Sequence, residues 1–546
     1  MSGVTVPQAD LFGPLDQRRP AGPLLSVWED GWRDWSWDEW RGAAAQHASA
    51  LGQHGVQAGD RVAYLLANTR AACAGVIGCW MAGACVVSLP TIARGMSREH
   101  YVSMLRTIVA QSGAVAVVAE SAHLELMASA CESVPVLGFR DLADATPAEV
   151  SLPEPDDVVF VQYSSGSTTQ PRGCELSARA IAHQLEALSH ALAIDPNADI
   201  SVDWLPLSHD MGLFGCVLMT AYWTGTRQWL STPQRFLMSP HSWFDDLAAV
   251  QGTITAGPNF ALELSARFVS LLRERPVPVT RLVLGGECVR AETLDHAWRE
   301  LGPSRLPRRA VLPAYGLAEA VLAVSAAPVG EEPRVIEVDS GALAAGAVSE
   351  LSAPRGSGTT VVSVGLPLEG NEVAIAGDDV VGEVLVRSPS LARGYLGLTN
   401  ETSARFTPDG LLTGDMGFIS DGCLYVTGRA DDLLVLAGRN VYAGDIERAL
   451  MGCGGVRAGS CAVVQIDGAE PRLVVVAETV NDHPSLEVLA AQMAAAARSV
   501  AGVKLTECVF LPRAAFPKTP SGKMRRFACK ELASDRKLSF AERVRC

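Results

Sequence analysis

The sequence lacks the cysteine spacing that metal sites and disulfide frameworks use. Its 13 cysteines are an odd number scattered over 546 residues, and no CxxC pair or Cys/His cluster occurs among them. A structural zinc site, which needs closely spaced thiol or imidazole ligands, therefore finds no support. Reduced thiols are typical of cytosolic proteins. We predict a cytoplasmic protein on this basis.

The sequence also lacks a recognisable export signal or membrane anchor. Residues 1–20 carry charges of both signs but no apolar run of signal-peptide length, so we expect no secretion signal. Residues 71–90 contain no charged side chain and are long enough to cross a bilayer. Because they are rich in Gly, Ala and Cys, they predict instead a small-residue core helix, a turn at Gly83 and a short buried strand.

Charge is distributed unevenly along the chain. The net charge is -15, so the whole molecule should repel nucleic acid and anionic membranes. Residues 513–546 are the exception. They contain ten Lys and Arg residues and three acidic residues, so the net charge of this stretch is +7. This basic end is either a solvated tail or a docking face for an acidic partner, such as ATP phosphates, an acyl carrier protein or coenzyme A.

The first four hundred residues alternate between helical patterns and short β-branched runs. This alternation predicts layered α/β subdomains, and a chain of this length predicts more than one domain. We predict a helix at residues 178–193. We predict strands at residues 158–163, 282–284, 361–364, 381–386 and 423–426.

The pattern restarts after Arg429. We predict an N-terminal domain of residues 1–429 and a small α+β C-terminal domain of residues 430–546, with the boundary near residues 430–432. In the second domain we predict strands at residues 433–436, 461–466 and 473–478. We predict helices there at residues 443–451 and 486–500.

A loop rich in hydroxyl groups follows the predicted strand at residues 158–163. Residues 164–173 contain five Ser or Thr residues and two glycines, so backbone N–H groups and hydroxyls could approach phosphate oxygens there. The loop differs from the P-loop of nucleoside triphosphatases, because the Gly-Lys-Ser/Thr ending is missing. Alone, such a loop is more often an ordinary connection.

Four further motifs follow this loop in a fixed order. They are Tyr315-Gly316-Leu317-Ala318-Glu319, Thr413-Gly414-Asp415, Gly428-Arg429-Ala430-Asp431-Asp432 and Pro517-Lys518-Thr519-Pro520-Ser521-Gly522-Lys523. The ordered set resembles the adenylate-forming superfamily of acyl-CoA synthetases, peptide-synthetase adenylation domains and luciferases. The resemblance implies a large N-terminal domain with a small β-barrel-like part, and a mobile C-terminal domain that turns about a hinge at Asp431.

Within that superfamily the chain is most similar to the fatty acyl-AMP ligases. The segments that carry this likeness are residues 203–213, 256–261 and 438–447, together with an insertion-like stretch at residues 331–360 that is poor in periodicity. In these ligases the extra segment is thought to hamper the domain rotation that free coenzyme A requires. Thr169 and Arg172 stand where acyl-CoA synthetases usually have Gly and Lys, which favours the acyl-AMP ligases. The Gly285-Gly286-Glu287 loop instead matches the wider superfamily, and Ala443-Gly444 replaces a common Pro-Gln, so the exact subgroup stays open.

The resemblance implies a complete nucleotide site. Tyr315 would lie flat against adenine, Asp415 would accept hydrogen bonds from the ribose hydroxyls, and Arg429 would donate to the ribose. The residues implied in nucleotide binding are Ser164, Ser165, Gly166, Ser167, Thr168, Thr169, Gly173, Gly285, Gly286, Glu287, Ala314, Tyr315, Gly316, Leu317, Asp415, Arg429 and Lys523.

The same resemblance assigns the chemistry and the acid subsite. Lys523 would bring a cation to the carboxylate and the α-phosphate, where two anions must meet. Glu319, with Thr168 nearby, would hold Mg²⁺ through hard oxygen ligands. The residues implied beside the acid are His209, which we also count as catalytic, with Asp210, Leu213, Phe260 and Gly316.

Three functions remain open at this point. The leading one is ATP-dependent activation of a fatty or other bulky apolar acid to its acyl-AMP, followed by transfer to the phosphopantetheine thiol of an acyl carrier protein. An acyl-CoA ligase shares the first step and differs only in the acceptor. A nucleotide-binding scaffold without activity is the third, and Lys523, Glu319 and Asp415 argue against it.

Overall fold

The computed structural model describes most of the 546 residues. The described residues are 9–92, 96, 98–143, 145–146, 150–163, 171–272, 276–351, 358–377, 380–430, 433–436, 439–466, 472–480, 483–518, 524–535 and 541–546. Within this part of the chain the strands and helices form a mixed α/β structure, so the predicted fold class is confirmed.

A six-stranded sheet forms the first layer of the described N-terminal part. Its strands are parallel except for the last neighbouring pair, and most of their side chains are buried. Near-continuous apolar runs are typical of parallel strands that are covered on both faces. In sheet order the strands are Val136–Gly138, Ala116–Ala119, Arg61–Tyr64, Cys85–Ser88, Val158–Tyr163 and Gly173–Ser177.

A nine-stranded sheet of the described residues forms the second layer. Its central six strands are parallel and antiparallel strands close both edges. In sheet order the strands are Leu366–Pro367, Ala323–Ala326, Val311–Gly316, Arg281–Leu284, Ile254–Gly257, Ile200–Asp203, Arg227–Leu230, Leu25–Trp28 and Trp32–Trp35.

Helices cover the two sheets and enclose the main hydrophobic cores. The largest core contains the fully buried side chains of Trp37, Trp40 and Trp80, and a second core surrounds Trp243 and Phe244. The helices are Trp37–Gln53, Arg70–Met81, Arg98–Ser112, Leu124–Ala130, Ala178–Ala191, Met211–Thr224, Pro233–Met238, Ser242–Val250, Asn259–Arg267 and Ala291–Leu301.

The uncharged stretch at residues 71–90 folds as predicted. It forms the helix Arg70–Met81, a turn at Gly83 with φ of 72°, and the buried strand Cys85–Ser88. Among the described residues, no helix has both the length and the apolar character needed to span a membrane.

A smaller antiparallel sheet follows the two large ones. The described strands Glu372–Ile375, Gly382–Arg387, Phe406–Thr407, Gly410–Ser420 and Cys423–Arg429 build it, and the helix Thr399–Arg405 lies beside it. The two long strands are joined by the tight turn Asp421-Gly422, whose two residues both have positive φ. Such a turn fixes the register of a hairpin.

The insertion-like stretch at residues 331–360 has more regular structure than its weak periodicity predicted. Strands Val335–Asp339 and Gly358–Val362 pair antiparallel, and the helix Ser340–Ala344 follows the first of them. Val338 and Leu343 pack against Phe418 and Tyr425 of the smaller sheet. On its other side the helix comes within 8 Å, between Cα atoms, of strand Arg439–Tyr442.

The described residues after 430 have cores of their own. A hairpin of strands Leu433–Leu436 and Arg439–Tyr442 precedes a sheet of strands Val456–Ile466, Arg472–Thr479, Glu507–Leu511 and Glu542–Arg545. Helices Ala443–Met451, Leu486–Ala501 and Arg526–Ser534 pack on this sheet. The division of the chain at residues 430–432 stays a prediction.

The helix Met211–Thr224 is a π-helix, in which backbone hydrogen bonds join residues five apart, as from Gly225 N–H to the Thr220 carbonyl. Arg19 binds its last turn. Its guanidinium donates to the carbonyls of Ala221 and Tyr222 and lies 4.5 Å from the ring centre of Trp37. Burial lowers the pKa of Arg19 to about 10.

We expect Arg19→Met to lower the midpoint of thermal unfolding by about 2 °C. The substitution leaves helix carbonyls without a charged donor, a loss of about 2 kcal/mol. Arg18→Met is the matched control, because Arg18 is exposed one residue earlier. Differential scanning calorimetry measures both, and equal shifts for the two variants would contradict the role given to Arg19.

Candidate active site

The loops after two adjacent parallel strands meet at one edge of the nine-stranded sheet. Strand Arg281–Leu284 is followed by Gly285-Gly286-Glu287, and strand Val311–Gly316 is followed by the short turn that holds Glu319. Parallel neighbours end on the same side of a sheet, and ligands commonly bind there. The pairing of these strands therefore brings together residues that lie about thirty positions apart.

Two glycines in these loops have a structural reason. Gly286 has φ of 77°, a conformation that disfavours other residues. A Cβ atom on Gly316 would lie 1.8 Å from the carbonyl oxygen of Leu322, so only glycine fits. Glu287 at the end of the first loop accepts a hydrogen bond from the Phe260 backbone N–H at 2.5 Å.

Tyr315, Asp415 and Arg429 form one polar group. The Tyr315 hydroxyl donates to Asp415 Oδ2 at 2.6 Å, and Arg429 Nε lies 3.7 Å from Asp415 Oδ1. Asp415 and Arg429 are direct cross-strand partners in the hairpin closed by Asp421-Gly422. Burial raises the pKa of Asp415, and Arg429 and the Tyr315 hydroxyl counter that rise.

Glu319 has a partner that the sequence did not identify. The hydroxyl of Tyr395 donates to Glu319 Oε1 at 2.7 Å, and the guanidinium of Arg172 lies 5.5 Å from the centre of the Tyr395 ring. Burial and the nearby Glu319 carboxylate raise the pKa of Tyr395, so its hydroxyl keeps its proton. Tyr395 therefore fixes the carboxylate that the sequence predicts as a metal ligand.

His209 and Asp210 stand at the start of the π-helix. The His209 Nδ1 atom contacts the Asp210 carboxylate, and Asp210 Oδ1 accepts the Met211 N–H at 2.7 Å. The preceding loop is fixed by Asn68, a buried residue that sequence reasoning missed. Its amide donates to the Leu205 carbonyl at 2.9 Å and accepts the Leu207 N–H at 3.0 Å.

A cavity of about 600 Å³ joins these groups. Most of the predicted site residues that the structure describes line it. They are His209, Asp210, Gly285, Gly286, Glu287, Ala314, Tyr315, Gly316, Leu317, Glu319, Asp415 and Arg429.

Three predicted residues lie away from the cavity wall as the described residues form it. Leu213 is 1% exposed within the main core, and Phe260 packs on the second core. Gly173 lies inside a strand against Tyr163, while the neighbouring Arg172 lines the cavity. Leu213 and Phe260 as pocket walls therefore stay a prediction, since the described residues show only their packing on the cores.

Asp203 is a third residue without a role in the sequence-based prediction. It lines the cavity, is 2% exposed, and accepts hydrogen bonds from the Ser201 hydroxyl, the Gln228 amide and the Ala256 N–H at 2.7, 3.1 and 2.9 Å. Burial raises the pKa of Asp203. Because its donors belong to three neighbouring strands, this carboxylate ties the sheet together beneath the cavity.

Several predicted residues lie outside the described part of the chain. They are Ser164, Ser165, Gly166, Ser167, Thr168, Thr169, Asp431 and Lys523. Residues on either side are described, however. Met524, which follows Lys523, and Arg526 both line the same cavity as Tyr315 and Glu319.

Comparison with known proteins connects this geometry to one family. The model of the AMP-binding enzyme family matches residues 16–396. The long-chain-fatty-acid–AMP ligase FadD26 of Mycobacterium marinum is 30% identical over 539 residues, which cover 91% of each chain. The medium-chain-fatty-acid–[acyl-carrier-protein] ligase JamA of Moorena producens is 31% identical over 402 residues, covering 69% of this chain and 67% of that one.

A solved structure is similar over the same extent. It is the fatty acyl-adenylate ligase from L. pneumophila in complex with acyl adenylate and pyrophosphate. The TM-score is 0.72, with 27% sequence identity, and the match covers 98% of each chain.

We expect Asp415→Asn to weaken ATP binding about tenfold or more. An amide lacks the charge and one of the two acceptor oxygens of a carboxylate, and a hydrogen bond to a charged group contributes about 1.5–3 kcal/mol. Isothermal titration calorimetry with ATP measures the change. Asp409→Asn is the control, since its side chain is 84% exposed on the nearby turn. Unchanged affinity in the Asp415 variant would rule out a contact with the ribose.

Proposed function

The chain belongs to the AMP-binding enzyme family, and from this membership we propose that it joins a fatty acid to the phosphopantetheine thiol of an acyl carrier protein. It is an AMP-forming ligase that uses ATP to make an acyl-adenylate. The observation that carries the proposal is the single cavity that contains both the Tyr315, Asp415 and Arg429 group and the Glu319 and His209 carboxylate-activating groups.

In the first step, a carboxylate oxygen of the fatty acid forms a bond to the α-phosphorus of ATP. The bond from that phosphorus to the oxygen bridging the β-phosphate breaks, and pyrophosphate leaves with the electron pair. Because two anions must approach each other, cations have to lie on the reacting oxygens. We assign this task to Lys523, together with Arg172, which lines the cavity.

Nucleotide binding falls to the loops at the sheet edge. We assign the flat face of Tyr315 and the glycines 285 and 286 to adenine, because aromatic stacking and close backbone approach suit a planar base. Asp415 and Arg429 are assigned to the ribose. The Tyr315 hydroxyl already occupies one oxygen of Asp415, so it holds this carboxylate in place for the sugar.

We propose Mg²⁺ as the accompanying metal, held by Glu319 and Thr168. Among the described residues, no three His, Cys, Asp or Glu side chains converge on a metal position. One carboxylate nevertheless fits, because Mg²⁺ in nucleotide sites is held mainly by phosphate oxygens and water. Bound there, the metal would neutralise phosphate charge, while Tyr395 orients the Glu319 carboxylate.

The acid chain would occupy the apolar part of the cavity. Side chains of helix Ala178–Ala191 and the π-helix and the ends of three strands provide its wall, including Leu188, Met219, Ile254, Val283 and Leu322. A methylene chain buried there gains about 0.8 kcal/mol per CH₂. His209 and Asp210 would lie near the carboxylate end, since they line the cavity together with Glu319.

In the second step, the phosphopantetheine thiolate attacks the acyl carbonyl carbon, and AMP leaves. The segment of residues 331–362 supports a carrier protein as acceptor, because it packs on the smaller sheet and also approaches strand Arg439–Tyr442. A segment that contacts both the smaller sheet and strand Arg439–Tyr442 would restrain rotation of the C-terminal domain. Coenzyme A is the alternative acceptor, favoured by the Gly285-Gly286 pair of the wider superfamily.

We predict that Lys523→Ala lowers ATP–pyrophosphate exchange about 10²-fold or more, because a transition-state cation is lost. Radiolabelled pyrophosphate with medium- and long-chain fatty acids measures this exchange. Lys504→Ala is the control, since Lys504 is an exposed lysine of the same domain. Full exchange in the Lys523 variant would remove this residue from the mechanism.

We also predict that preformed acyl-AMP yields thioester faster with holo acyl carrier protein than with coenzyme A. The reason is the restraint that residues 331–362 place on the C-terminal domain. Mass spectrometry of both thioesters at equal thiol concentration gives the two rates. Efficient transfer to coenzyme A would contradict the proposed acceptor and leave the adenylation step intact.

A further inference from the structure

The loop that carries Lys523 has two well-defined ends. Lys518 and Met524 form an antiparallel β-bridge, and the Arg525 N–H donates to the Pro517 carbonyl at 3.1 Å. The described residues on either side of 519–523 are therefore joined to each other, and we call residues 516–518 and 524–526 together the Lys523 hairpin. Since Met524 lines the cavity, whatever holds this hairpin also determines how its lysine meets the substrates.

A buried ion pair holds the downstream end. The guanidinium of Arg526 pairs with both carboxylate oxygens of Glu447, with Nη2 at 3.1 Å from Oε2. Glu447 is 2% exposed and also accepts the Val463 N–H at 2.7 Å, while Arg526 donates to the Val463 carbonyl at 3.0 Å. The pair thus joins helix Ala443–Met451, strand Val456–Ile466 and the first residue of helix Arg526–Ser534.

A second buried carboxylate holds the upstream end. Glu478 has a fully buried side chain, pairs with Arg457 Nε at 2.6 Å, and accepts the Phe516 N–H at 3.3 Å. The Phe516 side chain is itself fully buried. Both strands of the hairpin are therefore attached to the four-stranded sheet through charged, buried contacts.

Glu447 is the informative member of this arrangement, because it is not among the described residues that line the cavity. Any effect of Glu447 on the reaction must pass through the groups that it holds, which are Arg526 and the Val463 N–H. A bidentate guanidinium–carboxylate pair fixes orientation as well as position. Small misplacements of a reacting group cost rate steeply, about 10²-fold for 1 Å.

We propose that Glu447 and Arg526 are positioning residues for acyl-adenylate formation, which hold the Lys523 hairpin against the cavity. The inference rests on the proposed function, in which Lys523 provides the cation for the first step. It adds a mechanical link from the core of the C-terminal domain to that step.

The test is a double-mutant cycle in the full-length protein. Glu447→Gln keeps the shape of the side chain and removes its charge. We expect it to lower kcat of pyrophosphate exchange about 10- to 100-fold and to change KM for ATP by less than about twofold. In a Lys523→Ala background the same change should cause little further loss, because the residue it positions is absent.

The matched control is Glu507→Gln. Glu507 lies 3.4 Å from Arg543, whose guanidinium binds the carbonyls of Leu532 and Ala533 at the other end of helix Arg526–Ser534. This pair belongs to the same domain and Arg543 contacts the same helix, so its loss reports general destabilisation. We expect exchange close to wild type.

Two results would overturn the proposal: unchanged exchange in Glu447→Gln, or losses that multiply in the double variant. Full exchange in Lys523→Ala alone would instead refute the mechanism assigned to that lysine. Should Glu447→Gln fail to fold, Arg526→Lys serves in its place, because it keeps the charge and loses only the bidentate geometry. A smaller loss of kcat, with KM retained, is then expected, and wild-type kcat would again overturn the proposal.

Discussion

The parallel pairing of strands Arg281–Leu284 and Val311–Gly316 is the constraint on which the site depends. It places the Gly285-Gly286-Glu287 loop and the turn at Glu319 at one sheet edge, and it aims Tyr315 at the hairpin that carries Asp415 and Arg429. The hairpin needs its own constraint, the register set by the Asp421-Gly422 turn together with the one-residue shift between Met416 and Gly417, because without that shift Asp415 would not pair with Arg429. Two local backbone rules thus assemble a site from distant parts of the chain.

The fold class and many elements could be predicted from sequence where the pattern was strong and local. Strands Val158–Tyr163 and Leu433–Leu436 and helix Ala443–Met451 have the predicted bounds. Residues 358–362 form a strand that begins three positions before the predicted one, because pairing with Val335–Asp339 extends it. A weak pattern gave no indication of that partner, whose side chains are mostly half-buried and so lack clear alternation.

The candidate site, too, could be predicted from the sequence only where its residues belong to recognisable motifs. Residues in recognisable motifs, such as Tyr315 and Glu319, line the cavity together, although their roles stay predictions. Tyr395, Asn68 and Asp203 were missed, since each forms hydrogen bonds with residues far away in sequence. No spacing rule reveals such a partner. A buried polar residue that must be satisfied is visible only once the fold brings its partners together.

The charges of the cavity support the proposal that residues of the C-terminal part take part in adenylation. The N-terminal part of the wall contributes the carboxylates of Asp203, Glu319 and Asp415, and burial raises the pKa of the first and the last. A triphosphate and a second carboxylate add further negative charge to the same space. Arg172 and Arg429 offset part of it, but Arg429 is already beside Asp415. In the proposed mechanism Lys523 and the cavity-lining Arg526 add the missing positive charge, so we expect the first reaction step to depend on the C-terminal residues.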